Sequence, residues 1–151
     1  MGYILHAFIG KQPDLQLIAS SFHNTKLVNV GKEIFIIPMT EELYDEINEL
    51  KISEDVGSLT YMSKNVENKI LSLIDDKCIG YIEAEYFEGQ GGQTAILWQK
   101  GERYKLYTFG QGVINLLLKH LGVSAKIGLD EFDTINLGRH RNTEDWLQPT
   151  N

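Results

Sequence analysis

Two glycines between a predicted strand and a predicted helix are the first residues whose spacing could do chemistry. Gly110-Gln111-Gly112 precedes an apolar stretch, and Asp130 follows twenty positions after Gly110. In a dinucleotide site, the amides of such a turn approach the pyrophosphate and a later acid holds a ribose hydroxyl. Asn115 stands at the third glycine position, and too few residues follow Asp130 to complete a parallel sheet. We therefore expect an ordinary strand-to-helix turn.

A pair of carboxylates, Glu83 and Glu85, lies in a stretch with strand-like alternation. Residues two apart on a strand share a face at a separation of roughly 7 Å. Carboxylates at such a separation can carry out acid–base chemistry. They can equally line a face turned to solvent or to a partner, opposite Ile82 and Ala84, and this is the interpretation we favour.

The basic triplet Arg139-His140-Arg141 could grip a phosphate, and its histidine could exchange protons. We favour local pairing of the triplet with nearby acids. Those acids are Asp130, Glu131, Asp133, Glu144 and Asp145.

Metal binding is not indicated, because the four histidines are scattered and the single cysteine, Cys78, has no partner for a zinc motif. The 130–133 cluster lacks the calcium-loop pattern, so we expect a solvated acidic loop there. No serine lies in an activated-nucleophile motif. We therefore expect no enzyme activity and no cofactor.

Charge distribution is the feature that stands out. The chain of 151 residues has a formal net charge of −7. Seven acids and only Lys51 as a base give the segment 41–55 a net charge of −6. The acids are Glu41, Glu42, Asp45, Glu46, Glu49, Glu54 and Asp55. Concentrated negative charge disfavours nucleic acid and favours a basic protein partner, although a solubilising helix face is the equal alternative.

Length and composition indicate a single domain over residues 1–151. One cysteine, the lack of a basic apolar leader and the lack of a long apolar run make the cytoplasm the expected location, with no membrane partner.

Hydrophobic periodicity predicts an α+β fold: a largely antiparallel sheet with a C-terminal three-stranded meander and helices packed on it. The predicted strands are 3–9, 26–30, 33–37, 79–87, 93–99 and 103–109, with a possible strand at 124–129. The predicted helices are 13–21, 41–50, one that is capped by Ser63 or Asn65 and ends near Asp75, 112–121 and a short one near 143–147. Thr40 is the expected N-cap of the helix 41–50, and Leu43, Ile47 and Leu50 are its expected buried stripe. Gly89-Gln90-Gly91-Gly92 is expected to be a hairpin loop.

Two stretches of the C-terminal half resemble a known group of proteins. The segment 81–95, with Glu85-Tyr86-Phe87 followed by Gly89-Gln90-Gly91-Gly92, resembles a strand–turn–strand pattern of the type EYFGGxGxQxA, with Glu88 at its first glycine position. The second stretch has Leu121-Gly122-Val123, Asp130-Glu131-Phe132-Asp133, Leu137-Gly138-Arg139-His140-Arg141 and Glu144-Asp145-Trp146-Leu147. Both are similar to immunity proteins of bacterial polymorphic-toxin and contact-dependent growth inhibition systems. Residues 1–78 carry no such similarity.

The resemblance implies a protein that binds a toxin domain delivered by a neighbouring cell, in many cases a nuclease with a basic cleft, and blocks it. On that hypothesis, the partner-binding residues are acidic. They are Glu42, Asp45, Glu46, Glu49, Glu54, Asp55, Glu83, Glu85, Asp130, Glu131 and Asp133. Tyr44, Tyr86 and Trp98 would be aromatic anchors if exposed.

Two alternatives stay open. One is a small enzyme or nucleotide-binding protein that uses Gly110-Gln111-Gly112 and the triplet Arg139-His140-Arg141. The other is an interaction module for a different basic partner.

Overall fold

The chain folds into a six-stranded antiparallel sheet with helices on both faces, which confirms the predicted α+β class and the C-terminal meander. The structure, a computed structural model, describes residues 2–148. The strands are β1 (Tyr3–Lys11), β2 (Val28–Gly31), β3 (Ile34–Pro38), β4 (Ile79–Phe87), β5 (Gln90–Gln99) and β6 (Glu102–Gly110). The helices are α1 (Gln12–Ala19), α2 (Glu41–Asn48), α3 (Lys64–Ile74), α4 (Val113–His120) and α5 (Glu131–Thr134). Two 3₁₀ helices, Leu137–Arg139 and Thr143–Leu147, follow.

The first strand of the chain lies at the centre of the sheet. The strand order is β2-β3-β1-β4-β5-β6, so β1 pairs with both β3 and β4. Every pairing is antiparallel. Because β1 is flanked on both sides, its residues from Leu5 to Gly10 are all buried.

Each face of the sheet has its own hydrophobic core, because successive strand residues point to opposite faces. The first core contains Phe8, Tyr81 and Trp98 and is covered by α1, α2 and α3. The second core contains Leu5 and Ile82 and is covered by α4 and the C-terminal segment. Within residues 2–148, no helix has the length and apolar character needed to cross a membrane.

The predicted helix caps are confirmed, whereas the β4–β5 turn is shorter than predicted. The Thr40 hydroxyl accepts a hydrogen bond from the Leu43 amide at 3.1 Å and caps α2. In the same way, the Ser63 hydroxyl caps α3 by accepting from the Val66 amide at 3.2 Å. The hairpin β4–β5 turns at Glu88 and Gly89, which both have positive φ, so β5 begins earlier than predicted, at Gln90.

Three sequence predictions about local structure were wrong. The acidic segment 130–133 was expected to be a solvated loop, but Asp130 caps the short helix α5 and Glu131 is buried. The segment 124–129 is not a strand, and its Ile127 side chain is fully exposed. Helix α2 ends at Asn48, because Glu49 and Leu50 adopt left-handed backbone conformations with φ of 55° and 57°. Leu50 therefore leaves the buried stripe of the helix and is 81% exposed.

Candidate protein-binding surface

The sheet face under α1, α2 and α3 changes from a hydrophobic core to an open surface in three cross-strand rows. Directly paired residues on neighbouring strands place their side chains side by side. From the core outwards, the rows on β1, β4 and β5 are Phe8–Tyr81–Ile96, His6–Glu83–Thr94 and Ile4–Glu85–Gly92. The first two rows are buried, and the third reaches solvent through Ile4 and Glu85. The helical layer thus ends over the middle row.

Glu83 belongs to the fold and not to the surface. Its carboxylate accepts hydrogen bonds from the amides of Thr60 (2.7 Å) and Tyr61 (2.9 Å), and from the Tyr81 hydroxyl (2.6 Å). Burial raises the pKa of Tyr81 well above its ordinary value, and the adjacent charge of Glu83 raises it further. These bonds hold the loop before α3 against the sheet and leave Glu83 only 5% exposed.

Glu85 has the opposite environment, although it lies only two residues further along the same strand face. Its side chain is 55% exposed, and one carboxylate oxygen lies 3.3 Å from Nε2 of the buried His6. No loop amide caps it among the hydrogen bonds of residues 2–148. Its charge is therefore directed at the surface.

An acidic pocket of about 250 Å³ lies beside Glu85. Three carboxylates from three elements line it: Glu41 at the start of α2, Glu85 on β4 and Glu144 in the C-terminal 3₁₀ helix. His6 and Tyr61 complete its walls. Several backbone contacts bring these elements together. The Met39 amide donates to the His6 carbonyl at 2.7 Å, and the His6 amide donates to the Thr143 hydroxyl at 3.0 Å.

The pKa of the Tyr61 hydroxyl is raised in this pocket. Burial raises the pKa of this hydroxyl, and the charges of the surrounding glutamates raise it further. Those glutamates are Glu41, Glu144, Glu83 and Glu85. The Tyr61 ring packs against His6 with ring centroids 5.0 Å apart and against Tyr44 at 5.4 Å, which gives the pocket an aromatic wall.

An apolar groove of about 390 Å³ continues from the pocket on the other side of Glu85. Both depressions share Ile4 and Glu85, and the groove adds Phe87, which is 66% exposed. Phe109 is 60% exposed and lies over Gly92, where a Cβ atom would approach its ring to 2.6 Å. Gly92 thus lets an exposed aromatic ring lie flat on the end of the sheet.

Some carboxylates of the acidic segment 41–55 have no ion-pair partner within residues 2–148, and others are bound by amides or lysines of the same chain. Glu42 and Asp45 are exposed on α2 and form no ion pair with another residue of 2–148. Glu46 accepts hydrogen bonds from the amides of His23 and Asn24. Burial raises the pKa of Glu46, but these hydrogen bonds outweigh it and the net pKa is lowered. Glu46 therefore holds the loop after α1.

The C-terminal part of the segment is neutralised by the protein's own lysines. Glu49 lies 3.0 Å from the Lys69 ammonium and 3.6 Å from that of Lys51. Glu54 lies 2.9 Å from Lys64. Hydrogen bonds and charge from these lysines lower the pKa of both glutamates. Asp55 is exposed and forms an isolated backbone bridge with Ser63.

The remaining predicted acids lie on the other face of the sheet. Asp130 caps α5 by accepting from the Asp133 amide at 2.8 Å, and it also accepts from Asn115. Glu131 is buried, whereas Asp133 is exposed. The structure does not bring these three residues together with Glu85.

Of the predicted aromatic anchors, Trp98 is internal, whereas Tyr44 and Tyr86 are half-buried. Trp98 is fully buried and donates from Nε1 to Glu67 at 2.9 Å, and Tyr86 is half-buried and donates to Gln111 at 2.7 Å. Close to Glu85 the exposed aromatic side chains are Phe87 and Phe109, which the sequence reasoning missed. It also missed Glu41, Glu144, His6 and Tyr61 as pocket residues. For Phe87 a signal existed, since it continues the alternation Glu83–Glu85 on β4.

Two residues of the nucleotide alternative, Gln111 and Arg139, make contacts within the fold. Gln111 binds Tyr86 and the Gly91 carbonyl, and no parallel strand follows α4 in the described chain. Arg139 donates to the carbonyls of Val30, Ile135 and Asn136 and lies over the Trp146 ring at 5.2 Å. It therefore pairs with backbone carbonyls and an aromatic face, where we had expected acids.

Comparison with known proteins adds no relative. No known protein family matches this chain. No curated protein and no solved structure shows significant similarity to it. Within residues 2–148, no group of three or more histidine, cysteine, aspartate or glutamate side chains is arranged to hold a metal ion. The feature that the structure offers for binding is a negative pocket beside exposed apolar side chains.

Proposed function

We propose that this chain is an immunity protein that binds and neutralises a cognate bacterial toxin domain in the cytoplasm, in equimolar amounts and without catalysis. The observation that supports this proposal is the meeting of Glu41, Glu85 and Glu144 around one pocket next to exposed apolar side chains. Like charges repel, and among the described residues that line the pocket there is no lysine or arginine, only the His6 imidazole beside Glu85, so the three carboxylates favour a positive group from outside.

The partner is a basic protein, and a nuclease domain suits this surface. A nuclease carries lysine and arginine side chains that contact phosphates. Carboxylates placed over such a cleft compete with the nucleic acid for the same side chains. Complementary charge also accelerates encounter, toward roughly 10⁸–10⁹ M⁻¹s⁻¹ at low salt.

The proposed contact surface is smaller than the set of acids named from the sequence. It consists of Glu41, Glu42, Asp45, Glu85 and Glu144, flanked by Phe87 and Phe109. Glu83 and Glu131 are excluded by burial, Glu46 holds a loop, and Glu49 and Glu54 are paired with lysines. Asp130 and Asp133 lie on the opposite face of the sheet. Asp55 is exposed but is not part of the proposed contact surface.

The test uses the product of the adjoining reading frame. Its C-terminal domain is co-expressed with this chain, and the purified pair is assayed for toxin activity and affinity. We expect an equimolar complex, loss of toxin activity, and an affinity that falls as salt rises from about 50 to about 300 mM, since screening weakens exposed charge pairs. A toxin domain that stays fully active with an equimolar amount of this chain contradicts the proposal.

The same protein preparation tests the nucleotide alternative. A panel of mononucleotides and dinucleotides is added in a thermal-shift assay, because a ligand that binds only the folded state raises its melting temperature. We expect no shift.

A further inference from the structure

The acidic pocket and the apolar groove form one continuous depression with two chemically different ends. Ile4 and Glu85 line both cavities. The acidic end has Glu41, Glu85 and Glu144, and the apolar end has Phe87. Phe109 lies just beyond Glu85 on the neighbouring strands, through its contact with Gly92.

The spacing of the two ends is set by a single strand. Glu85 and Phe87 are two residues apart on β4 and point to the same face, which places their side chains roughly 7 Å apart. An extended peptide has the same repeat, so its residues i and i+2 also lie roughly 7 Å apart on one side. A segment lying along β4 can therefore place one side chain against each end.

We propose that this depression binds an extended segment of the partner in which an arginine and an aliphatic residue are two positions apart, as in Arg-x-Leu. The guanidinium enters the pocket of Glu85 and Glu144, and the aliphatic side chain lies on Phe87. This inference rests on the proposed function only for the partner being a basic protein.

Arginine suits the acidic end better than lysine for two reasons. Its planar guanidinium pairs with carboxylates through two parallel hydrogen bonds, and it stacks on aromatic rings such as Tyr61. Lysine offers a single point charge without the flat face.

A second copy of the same chain is not the occupant. The chain carries a net charge of −7, and a symmetric contact through this face would bring the carboxylates of both copies together. The charge of the pocket instead selects a cation.

The experiment uses the probe peptide acetyl-Gly-Arg-Ala-Leu-Gly-amide and the whole chain. Backbone amide shifts are followed by NMR as the peptide is added to about 10 mM, a range that covers a Kd near 1 mM. We expect saturable shifts at Ile4, Tyr61, Glu85 and Phe87. Citrulline in place of arginine, which removes the charge and keeps the shape, raises Kd by at least about tenfold. Glycine in place of leucine raises it at least about threefold, because the apolar contact is lost.

Matched variants locate the site. Phe87→Ala and Glu85→Gln each weaken the peptide, whereas the exposed controls Leu116→Ala and Glu102→Gln do not. All four side chains are largely exposed, so the variants are expected to fold, and a circular-dichroism melt confirms it. Equal binding of the citrulline peptide, or shifts that avoid this depression, overturns the inference.

The experiments distinguish a failure of the docking site from a failure of the proposed immunity function. A toxin domain that is neutralised by Phe87→Ala as well as by the native chain, with no peptide binding, refutes the docking site and leaves immunity standing. Specific peptide binding without any effect on the toxin domain refutes immunity and leaves the docking site standing.

Discussion

The two ends of the acidic segment 41–55 carry comparable numbers of carboxylates but produce different surfaces. At the start of α2, Glu41, Glu42 and Asp45 project into solvent, and Glu41 joins Glu85 at the pocket. After α2, Glu49 and Glu54 are held by lysines of the same chain.

The lysines that neutralise the second end come mostly from elsewhere in the sequence. Lys64 and Lys69 belong to α3, and only Lys51 lies within the segment. That end instead exposes two aliphatic side chains, Leu50 and Ile52, at 81% and 102%. A net charge counted along a sequence window therefore does not locate a negative field, because partners from other elements decide which charges remain free.

The largest expected effect comes from comparing two triple substitutions, one of the three carboxylates of the acidic pocket and one of the three carboxylates after α2. Glu41→Gln, Glu85→Gln and Glu144→Gln together should weaken toxin-domain binding on the order of a hundredfold, since each loses a charge opposite a basic group. The matched triple Glu49→Gln, Glu54→Gln and Asp55→Asn should change it by less than about threefold. Surface plasmon resonance measures both. Equal losses of affinity for the two triples contradict the distinction between the pocket and the carboxylates after α2.

A second comparison separates an acid used by the fold from an acid left for a partner. Glu83→Gln should lower the free energy of unfolding by about 2–3 kcal/mol, because a buried carboxylate with three donors loses acceptor capacity. Glu85→Gln should change it by less than about 0.5 kcal/mol. Urea denaturation followed by circular dichroism gives both values. If the two substitutions lower the free energy of unfolding by similar amounts, the difference in burial does not distinguish Glu83 from Glu85.

The loop after α2, where Glu49 and Glu54 are paired with lysines, contains backbone strain that a glycine should relieve. Leu50 is exposed and has a φ of 57°, a region that costs a non-glycine residue roughly 1–2 kcal/mol. Leu50→Gly should therefore raise the free energy of unfolding by about 1 kcal/mol after the entropy cost of glycine is subtracted. The control is Ile52→Gly, whose side chain is also exposed and whose backbone is not among the positive-φ residues. Destabilisation by Leu50→Gly contradicts this expectation.

The smallest expected effect is on the titration of the paired glutamates. Carbon-detected NMR should place the pKa of Glu49 and Glu54 below that of an ordinary glutamate, and Lys69→Met and Lys64→Met should each raise the pKa of their partner. A lowered folded-state pKa adds stability above the unfolded-state pKa, which is lost as the pH falls through the folded value. Because these pairs are exposed to solvent, which screens them, the change in stability with pH should be small. Unchanged pKa values in both methionine variants show that the ion pairs do not form in solution.

Local sequence signals sufficed for the elements but not for the surface. The caps at Thr40 and Ser63 and the alternation of β4 depend on neighbouring residues, so they are readable from the chain. Leu50 was expected in the buried stripe of α2, because helical spacing alone cannot show that the helix ends two residues earlier, at Asn48.

The pocket could not be predicted because its three acids are distant in sequence. It requires β1 to pair with β4 and the C-terminal 3₁₀ helix to contact β1, and both are long-range contacts without a local signal. The different environments of Glu83 and Glu85 depend in turn on the amides of Thr60 and Tyr61. Identical residue types on one strand face gave no way to tell them apart.

Hydrogen–deuterium exchange of the complex with the toxin domain tests the central claim most directly, since it maps the contact surface on the native chain. The account predicts slower exchange at amides of residues 4–6, 41–45, 60–61 and 85–92, with unchanged exchange at 49–55. Protection confined to the loop 49–55, or to the α4 face, would show that the partner binds away from the free carboxylates around Glu85.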